Sequence, residues 1–210
     1  LCNYNGSAWT VGANSALFDD TKAVLALGLY SGGQAGLSGI LHARSMAVKS
    51  STEAVIGEYN INASRVSGGA NDAVREYRTT DGGATWVAIR DVLENYDGSR
   101  RPLFVAIDPA NSAIIYHVSR NGILRSEDAG TSWRALALPT PPSATNIRAF
   151  AVHPKSPNVL VYSTDTSVVF SADTGTTWSP KKLPTTRSSS FLVFDGSAQN
   201  ALYLGTIVRQ

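Results

Sequence analysis

Ser126-Glu-Asp128-Ala-Gly130-Thr-Ser132-Trp133 decides the fold, because the same octad occurs three times. The other two copies are Thr79-Thr-Asp81-Gly-Gly83-Ala-Thr85-Trp86 and Ser171-Ala-Asp173-Thr-Gly175-Thr-Thr177-Trp178. The shared pattern is [S/T]-x-D-x-G-x-[S/T]-W, and the aspartates stand 47 and then 45 residues apart. Three of the four tryptophans close an octad, so the spacing marks a structural repeat of about 45 residues.

The flanks repeat as well. A short apolar run precedes each octad: 73–78, 122–125 and 167–170. Before it stands another run, as in Ala113–Tyr116, Val159–Tyr162 and Ala201–Leu204. Earlier still, a run ends in a turn at Asp108-Pro109, His153-Pro154 or Asp195-Gly196. A fourth strand begins at each tryptophan. One unit is therefore four short antiparallel strands, A-B-C-D, with the octad at the C–D hairpin. Four-stranded units of this length predict an all-β fold, a β-propeller.

Turn chemistry accounts for each octad position. The aspartate accepts N–H groups of the turn, as in an Asx-turn. The glycine supplies positive φ, the Ser and Thr hydroxyls bond nearby backbone, and the tryptophan buries a large apolar surface. The sequence thus assigns Thr79, Asp81, Gly83, Thr85 and Trp86 to structure. The same holds for Ser126, Asp128, Gly130, Ser132 and Trp133, and for Ser171, Asp173, Gly175, Thr177 and Trp178.

These octads resemble the Asp-box, or bacterial neuraminidase repeat, of a β-propeller superfamily. That superfamily includes sialidases, xyloglucan hydrolases, sortilin-type receptors and photosystem assembly factors. The resemblance covers residues 39–210 and implies a box that is a fold element, lying away from the ligand site.

The units fall at 39–91, 101–138 and 146–183, with a partial unit at 189–210 and an irregular N-terminal part at 1–38. The whole reads as one domain of 210 residues. The partial unit lacks its own octad. Gly6-Ser-Ala-Trp9 keeps the glycine and tryptophan of an octad without the aspartate. The expectation is that the termini complete one blade. Within one chain this gives a ring of about five blades; between chains it gives a homo-oligomer or fibre by strand exchange, with Trp9 buried.

Composition excludes several functions. The 43 % apolar content suffices for a core, and the net charge of +2 is scattered rather than striped, which disfavours nucleic acid. No apolar run reaches the length of a membrane span. Cys2 is the single cysteine and cannot form an internal disulfide. His42, His117 and His153 show no metal spacing, His117 being placed just after strand B, and no phosphate loop stands before a helix; no metal or cofactor is expected. Asn5-Gly-Ser7 and Asn62-Ala-Ser64 are glycosylation sequons, which suit a secreted or lumenal protein.

Antiparallel order puts A–B and C–D turns on one face and B–C and D–A loops on the other. Loops on a rigid scaffold are where ligands bind. The candidate ligand groups on that second face are Arg65, Asn71, Asp72, Tyr96, Asp97, Arg100, Arg120, Asp165 and Arg187. A sialidase would need a Tyr/Glu pair, but in Glu58-Tyr59 and Glu76-Tyr77 the side chains of adjacent residues on one strand point to opposite faces. A xyloglucan hydrolase would need two facing carboxylates, and the sixteen Asp and Glu show no such pairing. The sequence therefore favours a non-catalytic recognition or assembly module that binds a glycan or a protein. A glycoside hydrolase, possibly as a fragment, and a sortilin-like receptor propeller are the alternatives.

Overall fold

The computed structural model describes residues 2–4, 9–11, 41–60, 74–82, 85, 87–89, 102–119, 122–140, 144, 146–195 and 201–208. All regular structure among them is β. The strands are β1 (Cys2–Tyr4), β2 (Trp9–Val11), β3 (Leu41–Val48), β4 (Ala54–Asn60), β5 (Val74–Thr79) and β6 (Val87–Ala88). They continue with β7 (Pro102–Ile107), β8 (Ile115–Ser119), β9 (Ile123–Ser126), β10 (Arg134–Ala135) and β11 (Ala149–Val152). The last five are β12 (Leu160–Ser163), β13 (Ser167–Ser171), β14 (Ser179–Lys182), β15 (Ser188–Phe194) and β16 (Leu202–Ile207). No helix of the described residues is long and apolar enough to cross a membrane.

Three four-stranded sheets form, in the orders β3-β4-β5-β6, β7-β8-β9-β10 and β11-β12-β13-β14. Each ladder is antiparallel, so each sheet is the A-B-C-D unit of the repeat. The chain is a β-propeller built of four-stranded blades. β15 and β16 form a two-stranded sheet, the A and B strands of a fourth unit.

The blades stack face to face, and alternation along each strand decides which side chains enter which seam. Val55, Ile89, Val105 and Ile115 fill the seam between the first and second blades. Tyr116, Ile123 and Leu136 meet Ile147, Phe150, Leu160 and Tyr162 between the second and third. Val161, Val168 and Leu183 meet Leu192 between the third and the β15–β16 sheet. β8, β9 and β12 thus bury both faces.

The octad glycine joins neighbouring blades. Gly130 has φ of +94° and Gly175 of +84°. A Cβ on Gly130 would lie 2.8 Å from Ile89 Cβ, and one on Gly175 would lie 2.7 Å from Leu136 Cδ1. Ile89 and Leu136 belong to the preceding blade in each case, so the absent side chain lets two blades touch. One position earlier the turn is also left-handed, yet Ala129 (φ 59°) and Thr174 (φ 57°) occupy it. In the first octad that position is Gly82, whose added Cβ would meet Ser51 O at 3.3 Å.

A polar pair crosses the seam between the first and second blades. Glu76 of β5 and His117 of β8 are both fully buried, and Glu76 Oε1 bonds His117 Nδ1. The His117 ring stands edge-on to Trp133, with centroids 6.4 Å apart. His117 thus lies inside strand B rather than after it, correcting the placement expected from sequence. Tyr77, next to Glu76, is buried toward the opposite side, as adjacent strand residues must be.

The N-terminal hairpin also departs from expectation. Its innermost described pair is Tyr4↔Trp9, with four residues between. The octad hairpins close at Arg78↔Val87, Arg125↔Arg134 and Phe170↔Ser179, twice that length. The β1–β2 closure is thus shorter than that of the octad hairpins. β1–β2 and β15–β16 form separate two-stranded sheets, so the described ladders do not include pairing between the termini. The burial of the Trp9 side chain lies outside the described residues.

Two mutational tests follow from the seams. Gly130→Ala adds a left-handed alanine and a clash with Ile89, so denaturant unfolding should show a loss of about 2 kcal/mol or more. Gly82→Ala should change stability by less than about 1 kcal/mol, since alanine already holds the equivalent position. His117→Ala leaves Glu76 buried and unpaired and should cost about 3–5 kcal/mol in the same measurement.

Candidate functional site

The two faces of the propeller differ in how their polar groups are used. On the octad face, each turn closes on itself. Asp128 Oδ1 accepts the Ser126 hydroxyl at 2.8 Å and the Ser132 N–H at 2.8 Å. Asp128 Oδ2 accepts the Ser132 hydroxyl at 2.5 Å. Ser126 Oγ in turn accepts the Gly130 N–H at 2.8 Å. Asp173 repeats this with Ser171 and Thr177, and Asp81 with Thr79 and Thr85. Gly83 and Trp86 of the first octad lie outside the described residues.

The octads also grip the A–B turns beside them. Gly82, Ala129 and Thr174 donate their N–H to the carbonyls of Thr52, Ala113 and Asn158, at 2.8–2.9 Å. These bonds put A–B and C–D turns on one face, as strand order requires. In the A–B turns side-chain acceptors take up the backbone N–H groups. Asp108 Oδ1 accepts from the N–H groups of Ala110 and Asn111. His153 Nδ1 stands in for it and accepts from Lys155 and Ser156, at 3.1 and 3.0 Å.

The candidate ligand groups are those the sequence assigns to the opposite face. Arg65, Asn71, Asp72, Tyr96, Asp97, Arg100 and Arg120, together with Asn5 and Asn62, lie outside the described residues. Asp165 and Arg187 lie within them. Asp165 sits in the β12–β13 turn, where Thr164 Oγ1 accepts the N–H groups of Thr166 and Ser167. Arg148 holds Asp165 with a two-pronged contact, Nε to Oδ1 at 2.8 Å and Nη2 to Oδ2 at 3.1 Å. Ser188 adds a weaker contact at 3.4 Å. Arg187 is exposed, and its N–H bonds Thr185 Oγ1. The structure thus groups Asp165 with Arg148 and Ser188 where the third blade meets β15. Arg148 was missed at the sequence level, because nothing in its neighbourhood signals a partner seventeen residues downstream. Among the described residues, no group of three His, Cys, Asp or Glu could hold a metal ion.

Residues 75–204 match the family profile described as "Sortilin, neurotensin receptor 3", Sortilin-Vps10. The chain belongs to the Sortilin-Vps10 family. A comparison with curated proteins finds no match to it. Solved structures similar to this Sortilin-Vps10 chain include a GH74 enzyme of Niastella koreensis, with TM-score 0.62, 15% identity, and coverage of 78% of this chain and 26% of that one. YCF48 bound to D1 peptide gives TM-score 0.53 and 18% identity over 80% of this chain and 47% of that one. Virginiamycin B lyase of Staphylococcus aureus gives TM-score 0.55 and 13% identity over 78% and 48%. At these identities the likeness concerns the fold. The Sortilin-Vps10 chain spans about a quarter to a half of these structures' lengths.

The octad bonds have an electrostatic consequence. The Ser132 hydroxyl, then the Ser132 N–H and the Ser126 hydroxyl, hold Asp128 at about 2, against an ordinary 3.8. Thr177 and Thr85 do the same for Asp173 and Asp81, each at about 2. A folded pKa below the unfolded value means that protonation favours the unfolded chain. The contribution is whole above the ordinary value of 3.8 and is lost as pH falls toward about 2. Acid unfolding followed by circular dichroism should therefore fall in that window. Ser132→Ala should raise the Asp128 pKa, read from carboxyl-carbon NMR titration, and move the acid transition to higher pH.

Proposed function

We propose that this propeller is a non-catalytic recognition module, extracellular or lumenal, that binds a peptide or protein through its B–C and D–A loops. The observation that carries this is the contrast between faces. Octad carboxylates and hydroxyls are consumed by their own turns. On the opposite face Asp165 and Arg187 lie among the described residues, and the strand order of the sequence assigns Tyr96 and the other candidate arginines to the loops of the same face. A peptide or protein ligand takes precedence over a glycan for two reasons. The family's description names a neurotensin receptor, and YCF48, a structural neighbour, was solved with a peptide.

Glycoside hydrolysis is the second reading, favoured by the likeness to GH74 enzymes. Against it stands the partnering of the carboxylates whose side chains are described. Glu53 bonds Arg78, Glu76 bonds His117, Glu127 bonds Arg125 and Asp165 bonds Arg148. Asp108 is held in its turn, and Asp195 accepts the Tyr203 hydroxyl at 3.3 Å. A hydrolase needs two carboxyl groups facing one another across a substrate.

The test is a peptide and glycan array probed with the intact chain and its variants. Arg65→Ala, Arg100→Ala or Arg120→Ala should weaken peptide binding about tenfold or more, the scale of a charge-assisted contact. Ser132→Ala should leave binding intact in the folded fraction. Loss of binding in the Ser132 variant alone would reverse the choice of face. Release of reducing sugar from xyloglucan would favour the hydrolase.

A further inference from the structure

The outer strand of the third blade is built differently from those of the first two. β14 ends its sheet, and among the described residues it is laddered to β13 alone. It covers four residues, Ser179-Pro180-Lys181-Lys182, all exposed. The corresponding strands β6 and β10 cover two residues each. A strand edge is a template on which a further strand can pair, and a two-residue edge offers little of it. β14 offers twice as much.

Hydrogen-bond parity shows which backbone groups of β14 face outward. Along a strand, successive residues send their N–H and C=O groups to opposite sides. β14 pairs with β13 at Ser167↔Lys182, Val168↔Lys181, Val169↔Pro180 and Phe170↔Ser179, without a register shift. Next to the first of these pairs, Leu183 donates its N–H to Thr166 O at 2.9 Å. Leu183, Lys181 and Ser179 therefore turn their backbone groups to β13, while Pro180 and Lys182 turn theirs outward. The other side of β13 agrees. Thr164 donates to Ser167 O at 2.8 Å, so Ser167, Val169 and Ser171 bond β12 and leave Val168 and Phe170 to bond β14.

Proline has no N–H, and residue 180 has the parity at which the ladder to β13 needs none. The outward edge alone is short of a donor, at its centre. This does not depend on what surrounds the strand. In the first two blades the same place, two residues after the octad tryptophan, holds Ala88 and Ala135. Each keeps its N–H, but in a strand of two residues. Two β14 strands meeting antiparallel about a two-fold axis would centre on residue 180. That pair ought to exchange two N–H···O bonds, and with proline in both copies neither forms. The same pairing would crowd Lys181 and Lys182 of one copy against those of the other.

We propose that Pro180 is an edge guard, which bars a second copy of this chain from pairing through β14, and that Lys181 and Lys182 reinforce it by charge. Sedimentation velocity on the intact chain and its variants, over a concentration series, tests it. Lys181→Thr combined with Lys182→Thr, with the proline kept, should sediment as the parent does. Adding Pro180→Val to that pair should give association at least about tenfold tighter than in the parent. Amide exchange locates the contact. The N–H of residue 182, turned outward, should exchange at least about tenfold more slowly in the associated triple variant, while that of residue 181, bonded to β13, stays protected throughout. A triple variant that sediments like the parent, association of the lysine pair variant with Pro180 in place, or association without slowing at residue 182 would each overturn the proposal. If the valine variant misfolds by circular dichroism, Pro180→Ala in the same background, the residue of the first two blades, carries the decision.

Discussion

Everything in this propeller hangs on a carboxylate that reaches across its own turn. The aspartate at the third octad position ties the seventh residue to the first through one N–H and two hydroxyls. That closure holds two successive residues in left-handed conformation, which an open turn of this length would not keep. The left-handed pair aims the glycine at the preceding blade and the fourth-position N–H at the A–B turn of its own blade. One local hydrogen-bond lattice thereby fixes a hairpin within its blade, and the blade against its neighbour.

The seams show how far the repeat constrains chemistry. Where the B strand meets the octad tryptophan, the second blade has His117 and the third Tyr162, with ring contacts of similar kind. The position holds a planar group in these two blades and the apolar Ile56 in the first. Having placed an imidazole in a dry seam, the chain supplies Glu76 opposite it, because a lone buried polar ring would go unsatisfied. The pair is a response to position and does not form part of a ligand site. Ser163 and Ser189 solve the same problem at the next seam with two hydroxyls 2.7 Å apart.

The fold was legible because its signal is periodic. Octad spacing, strand runs and Asp108-like turns each recur, and even the substitution of His153 for the aspartate could be read from register. What escaped is non-local. Arg148 finds Asp165 across a hairpin, and Glu76 finds His117 across a seam, through contacts no short window contains. The N-terminal hairpin misled for the opposite reason. Its glycine and tryptophan match the pattern, but the aspartate that sets the turn length is missing, and the strands pair sooner. Of the candidate ligand face, only Asp165 and Arg187 lie among the described residues. Asp165 is already held by an arginine, which the residue type alone could not reveal.

Native-state hydrogen exchange at the octad turns tests the account most directly. Ser132 and Thr177 are exposed turn residues, and by position their amides should exchange early. If the carboxylate lattice is the constraint on which the blades depend, the N–H groups of Gly130, Ser132, Gly175 and Thr177 will exchange as slowly as those of β8 and β12, through global unfolding. Exchange of these four amides at loop-like rates, with the strands still protected, would contradict it.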